Sequence, residues 1–143
     1  MNILKGNILN ITKGVICHQV NNKHVMGAGL ALEIRKRYPQ HYQDYMNTDM
    51  ILGNLVTTAV SESFGIVGLI AQDGYGRNKN IVYTKKEAFK RCLQKIKQMH
   101  DYAPDVKWYM PYNIGCGLAN GDWNEISQLI EEITPFIIII EKK

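Results

Sequence analysis

The sequence predicts a three-layer α/β/α fold around a mixed central sheet, with residues 1–143 forming one domain. Three observations carry this expectation. Strand-like and helix-like segments alternate in the order β-β-α-β-β-α-β-α-β, the pattern of a sheet covered by helices. The segments 14–20 and 136–140 are apolar with little alternation, as strands buried on both faces are. Two glycine loops each follow a strand-like segment and run toward a helix-like one, at the edge where open α/β sheets take ligands.

Along the chain, Ile3 and Leu4 start a short first strand, and Gly6-Asn7-Ile8-Leu9 turns out of it. Residues 14–20 (GVICHQV) form the second strand and lead into the first glycine loop, Met26-Gly27-Ala28-Gly29-Leu30-Ala31. Leu30, Ile34 and Tyr38 then recur at helical spacing, with Glu33, Arg35, Lys36 and Arg37 largely opposite them. Pro39 breaks that helix and opens a shorter one running through Met46. Residues 55–60 are β-branched and alternating, a strand whose hairpin partner or neighbour is 64–71.

The stretch 72–80 (QDGYGRNKN) has turn composition. Thr84-Lys85-Lys86-Glu87 matches a capping box, and the helix it opens is expected to bury Phe89, Cys92, Leu93, Ile96 and Met99. Pro104 marks its exit, before a strand over 106–110. The second glycine loop, Ile114-Gly115-Cys116-Gly117-Leu118-Ala119-Asn120-Gly121, precedes a second cap at Asp122-Trp123-Asn124-Glu125. Ile126, Leu129, Ile130 and Ile133 are the apolar stripe of the last helix, which Pro135 ends before the strand over 136–140.

Composition narrows the function. A hydrophobic content of 45% and a charged content of 21% are ordinary for a globular protein. The first five residues do not read as a leader, and the longest apolar run, 136–140, is too short to cross a bilayer. The expectation is therefore a cytoplasmic protein without a membrane partner. Cys17, Cys92 and Cys116 are widely spaced and form no CxxC or Cys/His cluster, which argues against a disulfide framework and a metal site. The net charge is +4. Much of it falls on Lys85, Lys86, Lys90, Arg91, Lys95 and Lys97 of one helix, read as a solvated face, with nucleic-acid binding as the lesser alternative.

Glycine lets backbone N–H groups turn toward a ligand, and a helix N-terminus adds positive potential. Two such loops in a chain of this size point to a clamp for two linked phosphates. Neither loop contains Lys or Arg, so amides would carry the phosphate contacts.

At these residues the chain resembles a macrodomain, the ADP-ribose-binding fold. The resemblance rests on Lys5-Gly6-Asn7-Ile8, on His18-Gln19-Val20-Asn21-Asn22 leading to the first loop, and on Met110-Pro111-Tyr112-Asn113 leading to the second. It is closest to the branch holding the terminal ADP-ribose–protein glycohydrolase and the ADP-ribose 1″-phosphate phosphatases, with bacterial and phage proteins of similar length. The ligand it implies is ADP-ribose, free or attached to protein or nucleic acid, and no cofactor. It implies that Ile114, Gly115, Cys116, Gly117 and Leu118 wrap the diphosphate, with Met26, Gly27, Ala28, Gly29 and Leu30 closing the other side. Asn7, beside Ile8, stands where many macrodomains carry an adenine-binding Asp. Asn21, or Asn22 in the alternative register, falls beside the distal ribose, and Tyr75 can cover it.

The glycohydrolase uses a Lys after its central strand, where this chain has Gln72-Asp73-Gly74-Tyr75. Its partner Asp falls near Ala119 or Asn120. A lysine Schiff-base route is thereby disfavoured. The resemblance leaves His18, which matches a phosphatase-branch His, Asp73 and Asn21 as the catalytic candidates, for hydrolysis at the distal ribose. Binding without turnover is the alternative.

Overall fold

A computed structural model describes all 143 residues, Met1–Lys143. Its strands are β1 (Asn2–Lys5), β2 (Gly14–Asn21), β3 (Leu55–Ala59), β4 (Phe64–Gln72), β5 (Trp108–Pro111) and β6 (Ile138–Glu141). The helices are α1 (Gly29–Arg37), α2 (Pro39–Met46), α3 (Lys86–Tyr102) and α4 (Trp123–Ile133), with a single 3-10 turn at Ile8–Asn10. The strands form one six-stranded sheet in the order β1-β6-β5-β2-β4-β3. Only β3 runs antiparallel, against β4. The mixed α/β sheet expected from the sequence is thus the observed one.

Alternation along β2 explains the two helical layers. Ile16 packs with Ile34 of α1 and Ile66 of β4, and Val20 with Tyr45 of α2 and Ile70 of β4. On the other face, Cys17 joins the largest core cluster, with Phe89 and Leu93 of α3 and Ile126 and Ile130 of α4. Each helix lays an apolar stripe on one pleated surface, the arrangement a period of 2 against 3.6 requires.

Strands β2 and β5 pair only at Val15↔Trp108 and Ile16↔Tyr109. Beyond those pairs β2 continues beside β4 as far as Asn21, while β5 continues beside β6. The chain leaves β2 toward the α1 face and β5 toward the α4 face. A crevice opens where two adjacent parallel strands send their helices to opposite sides.

Several boundaries differ from the sequence reading. β5 starts at Trp108, and β6 covers Ile138–Glu141; Phe136 instead stacks on the His100 ring at 3.6 Å. Met99 is 40% exposed, because the last turns of α3 run past the apolar surface that buries Phe89, Leu93 and Ile96. The capping box at Thr84 does not form: Lys85 is the N-cap residue of α3, without a side-chain bond. The Thr84 hydroxyl is committed elsewhere, to the carbonyl of Gly115. Between the second glycine loop and α4, by contrast, the expected cap does form. Asp122 intervenes and accepts the Asn124 N–H itself at 2.9 Å, so that helix end is already satisfied.

Asp122→Ala is expected to lower stability by about 1 kcal/mol in urea denaturation. Glu87→Ala, which breaks no cap bond, is expected to cost only a few tenths of a kcal/mol through the helix dipole.

Candidate functional site

The crevice at the carboxyl ends of β2 and β5 is a cavity of about 520 Å³. Both glycine loops line it: Gly27, Ala28, Gly29 and Leu30 from the first, and Ile114, Gly115, Gly117 and Leu118 from the second. His18, Gln19, Val20 and Asn21 of β2 lie between them, with Gln72, Tyr75, Gly76 and Arg77 from the end of β4 and its loop. Pro111, Tyr112 and Asn113, with Val25, Ala31 and Ala119, complete the wall.

The first loop is anchored by Met26, fully buried among Val20, Tyr45, Val56 and Ile70. The exposed residues that follow lead into α1, whose N-cap residue, Ala28, has no side chain able to cap it. The N–H groups of Gly27, Ala28, Gly29, Leu30 and Ala31 have no hydrogen-bond acceptor within the protein. Helix N-termini leave such groups over, and normally a cap or ligand takes them.

The second loop is held from behind. Gly115 has φ +74°, and a Cβ there would lie 2.7 Å from Oε1 of Gln19. Its carbonyl accepts the Thr84 hydroxyl at 2.5 Å and the Gly121 N–H at 3.0 Å. Thr84 in turn accepts from Nε2 of Gln19 at 2.9 Å. With the carbonyl fixed on that side, the N–H groups of Gly115, Gly117 and Leu118 remain without an acceptor. The loop after β4 docks on the same structure, since the Ala119 carbonyl accepts Tyr83 and Thr84 N–H groups and Asn120 donates to Asn78 and Ile81 carbonyls. This docking carries Tyr75 and Arg77 to the cavity wall.

Asn21 is buried and shapes the first loop. Its Oδ1 accepts the Lys23 N–H and its Nδ2 donates to the Val25 carbonyl at 2.8 Å, while the Tyr45 hydroxyl sits 2.8 Å from Oδ1. Asn22 faces away from the cavity, bonding Asp73 and the Gly74 N–H. Asp73 is exposed and lies off the wall. Gln72 stands on the wall as a neutral amide, accepting from Gln19 and donating to the Gly74 carbonyl. No amine therefore occupies this position.

His18 is 2% exposed, and its Nε2 lies 2.8 Å from Nε2 of His41. Burial pushes the His18 pKa well below its ordinary value, with His41 adding to the effect. Burial likewise lowers His41 to about 4, against the opposing pull of Asp44. Nδ1 of His18 has no partner. Cys116 packs just behind the wall, and burial, with Asp122 beside it, raises its thiol to about 11. It is a neutral filler rather than a thiolate.

Asn7 and Ile8 lie just outside the wall. Asn7 accepts the Leu9 N–H at 3.0 Å, and Ile8 is buried in the cluster against which Leu30 packs. Sequence reasoning missed Gln19, Thr84 and Arg77. Gln19 carried a signal, as a lone amide in an apolar strand; Thr84 was hidden by its resemblance to a cap. Arg77, the only Lys or Arg on the wall, looked like an ordinary turn residue. On α3, Arg91 and Lys95 bond the carbonyls of Leu52 and Gly53, and Lys97 pairs with Asp101, consistent with a solvated face. No helix is long and apolar enough to cross a membrane.

No protein-family model matches the sequence, and no curated protein does. Solved structures do match. A Bacteroides thetaiotaomicron protein superposes with a TM-score of 0.85 at 23% identity, over 100% of this chain and 99% of that one. A macrodomain protein from Streptomyces coelicolor gives 0.75 at 21% identity, over 99% and 97%. Thermosipho africanus DarTG, solved in complex with ADP-ribose, gives 0.75 at 15% identity, covering 99% of this chain and 42% of that one. The fold is that of a macrodomain.

Gly115→Ala is expected to cost about 1–3 kcal/mol in denaturant melts, from a strained φ and a clash with Gln19. Gly117→Ala, where an added Cβ meets nothing within 4 Å, is the near-neutral control. The histidine pair adds an acid sensitivity. Its folded-state pKa values lie below 6.5, so the unfolded chain takes up protons first as pH falls. Stability is complete above pH 6.5 and declines toward about pH 4. His41→Phe is expected to reduce that decline without abolishing it, because His18 remains buried, as urea denaturation compared at pH 7 and pH 5 would show.

Proposed function

We propose that this macrodomain fold binds ADP-ribose in the cavity between its glycine loops and hydrolyses ADP-ribosyl derivatives at the distal ribose. The observation that carries the binding proposal is the pair of amide clusters, 27–31 on one side of the cavity and Gly115, Gly117 and Leu118 on the other, all unpartnered within the protein. A diphosphate offers many acceptor oxygens to such amides. Its two negative charges need little help from side chains here: α1 contributes its N-terminal dipole, and Arg77 is the one cation at the wall. The likeness to a protein solved with ADP-ribose supports the same ligand.

In this reading the adenine lies toward Leu30, Pro111 and Tyr112, near Asn7 and Ile8. An Asn oxygen there accepts the adenine amino group without charge assistance. The distal ribose lies toward His18, Asn21 and Tyr75. Adenine and diphosphate contacts hold C1″ in place, so remote binding energy orients the reacting centre. His18 supplies a neutral acceptor for a proton from water or a ribose hydroxyl, Asn21 shapes the loop around the sugar, and Asp73 steadies it through Asn22. Substrates are an ADP-ribosyl ester on protein or nucleic acid, or ADP-ribose 1″-phosphate. A specific observation favours the alternative of a reader without turnover: Gln72-Asp73-Gly74-Tyr75, and Ala119 or Asn120, stand where the glycohydrolase that the chain resembles has its Lys and Asp, so neither catalytic residue is matched.

Calorimetry is expected to show one ADP-ribose per chain, with NMR shifts confined to amides of the two loops and their neighbours. Absence of both heat and shifts would remove enzyme and reader together. With binding intact, His18→Ala is expected to lower turnover of an ADP-ribosyl ester by about 100-fold, while Asp73→Ala leaves it close to wild type. Binding without any turnover of either substrate class establishes the reader.

A further inference from the structure

We infer that Asp44, Thr58 and His41 form a buried hydrogen-bond relay that fixes the tautomer of His18 and leaves its Nδ1 a bare acceptor, itself buried, on a residue that lines the distal-ribose end of the cavity. The inference rests on the ligand-site reading above and adds three positioning residues to it.

The direction of each bond follows from the acidic end. A carboxylate only accepts, so the Thr58 hydroxyl, 2.6 Å from Oδ2 of Asp44, donates to it. That hydroxyl has spent its one proton, so it accepts from Nδ1 of His41 at 2.8 Å. A neutral His41 with its proton on Nδ1 has only a lone pair on Nε2. Nε2 of His18, 2.8 Å away, must then carry the proton and donate it. One position is left for His18: an unprotonated Nδ1, which has no partner in the protein. His18 lines the cavity as a residue, while its Nδ1 is buried beneath the wall.

The surroundings leave little room for a different arrangement. Thr58, His41 and His18 are all nine-tenths or more buried, so water does not reassign the bonds. The groups facing the imidazoles are few. α2 contributes His41, Asp44 and Tyr45; β3 contributes Thr58; and β4 places Gly68 beside His18. Tyr45 is engaged with Asn21 and Val25. Burial keeps both rings neutral, which the one-proton-per-bond pattern requires. Two neutral imidazoles in contact would otherwise exchange tautomers freely. Asp44 removes that freedom from a distance of three hydrogen bonds.

The chain also defines where a proton goes. If Nδ1 of His18 takes a proton, its Nε2 proton passes to Nε2 of His41. The His41 Nδ1 proton passes to Thr58, and the Thr58 proton passes to Asp44. Both rings end neutral with their tautomers exchanged, and the charge lost is that of a carboxylate at the half-buried end of the relay.

Long-range 1H–15N NMR of the ligand-free protein tests the relay directly. His18 is expected to be protonated only on Nε2 and His41 only on Nδ1, from pH 8 to pH 6. Thr58→Val is expected to produce mixed tautomers on both rings, and Thr58→Ser to restore the single pattern. Adding ADP-ribose is expected to move the His18 Nδ1 resonance in wild type. A His18 protonated on Nδ1, or a Thr58→Val protein that keeps the wild-type tautomers, overturns the relay. Loop amides that shift with ADP-ribose while Nδ1 does not move overturn the acceptor role but leave the binding site standing. Should neither respond, the ligand reading fails, and the tautomers of the free protein still decide the relay.

Discussion

The cavity depends on one constraint, the immobilisation of the Gly115 carbonyl. A glycine-rich loop is by default an ensemble, and an ensemble of amides is a poor phosphate cradle because ordering it on binding costs conformational entropy. Here the Thr84 hydroxyl and the Gly121 N–H grip that carbonyl from the same side, and Gln19 braces Thr84. The left-handed backbone at Gly115 and its contact with Gln19 exclude any side chain. The ordering cost is thus met on folding rather than on binding. The loop after β4 is tied to the same scaffold through Ala119 and Asn120.

A second consequence is electrostatic. The wall is almost free of formal charge, with neutral amides at Gln19, Asn21, Gln72 and Asn113, a neutral His18 and the single cation Arg77. Main-chain dipoles in such surroundings are screened less than they would be among mobile ions and water. On the proposed reading, a compact dianion would be held without a basic surface, and the modest net charge of +4 fits that economy. Burial keeps the histidine pair uncharged, which makes the tautomer, rather than the charge, the property of His18 that the surrounding protein controls.

Much of the architecture was legible because it follows from periodicity. The apolar stripes of α3 and α4, the Asp122 cap, the Pro39 boundary between α1 and α2, and the position of both glycine loops are all encoded within a few residues of one another. The readings that failed share a cause. Thr84 sits three residues before Glu87 like a capping threonine, yet its hydroxyl meets Gly115, 31 residues away. Met99 continues the helical stripe, yet the sheet beneath it has ended. Local pattern identifies what a residue is suited to, and a competing long-range partner can claim it.

By itself the sequence determined the layer order, the elements and the two amide-rich loops, because strand and helix periods and glycine's freedom are properties of short segments. Which side chains meet at the cavity was decided only by the tertiary structure. The separation of β2 from β5 beyond Ile16 opened the crevice, and the docking of the loop after β4 brought Arg77 and Tyr75 to it while leaving Asp73 outside. The packing of α2 on β3 set Asp44, Thr58 and His41 in line behind His18. These are contacts between residues up to tens of positions apart, and their geometry follows from how whole layers pack, which no local window of the chain contains.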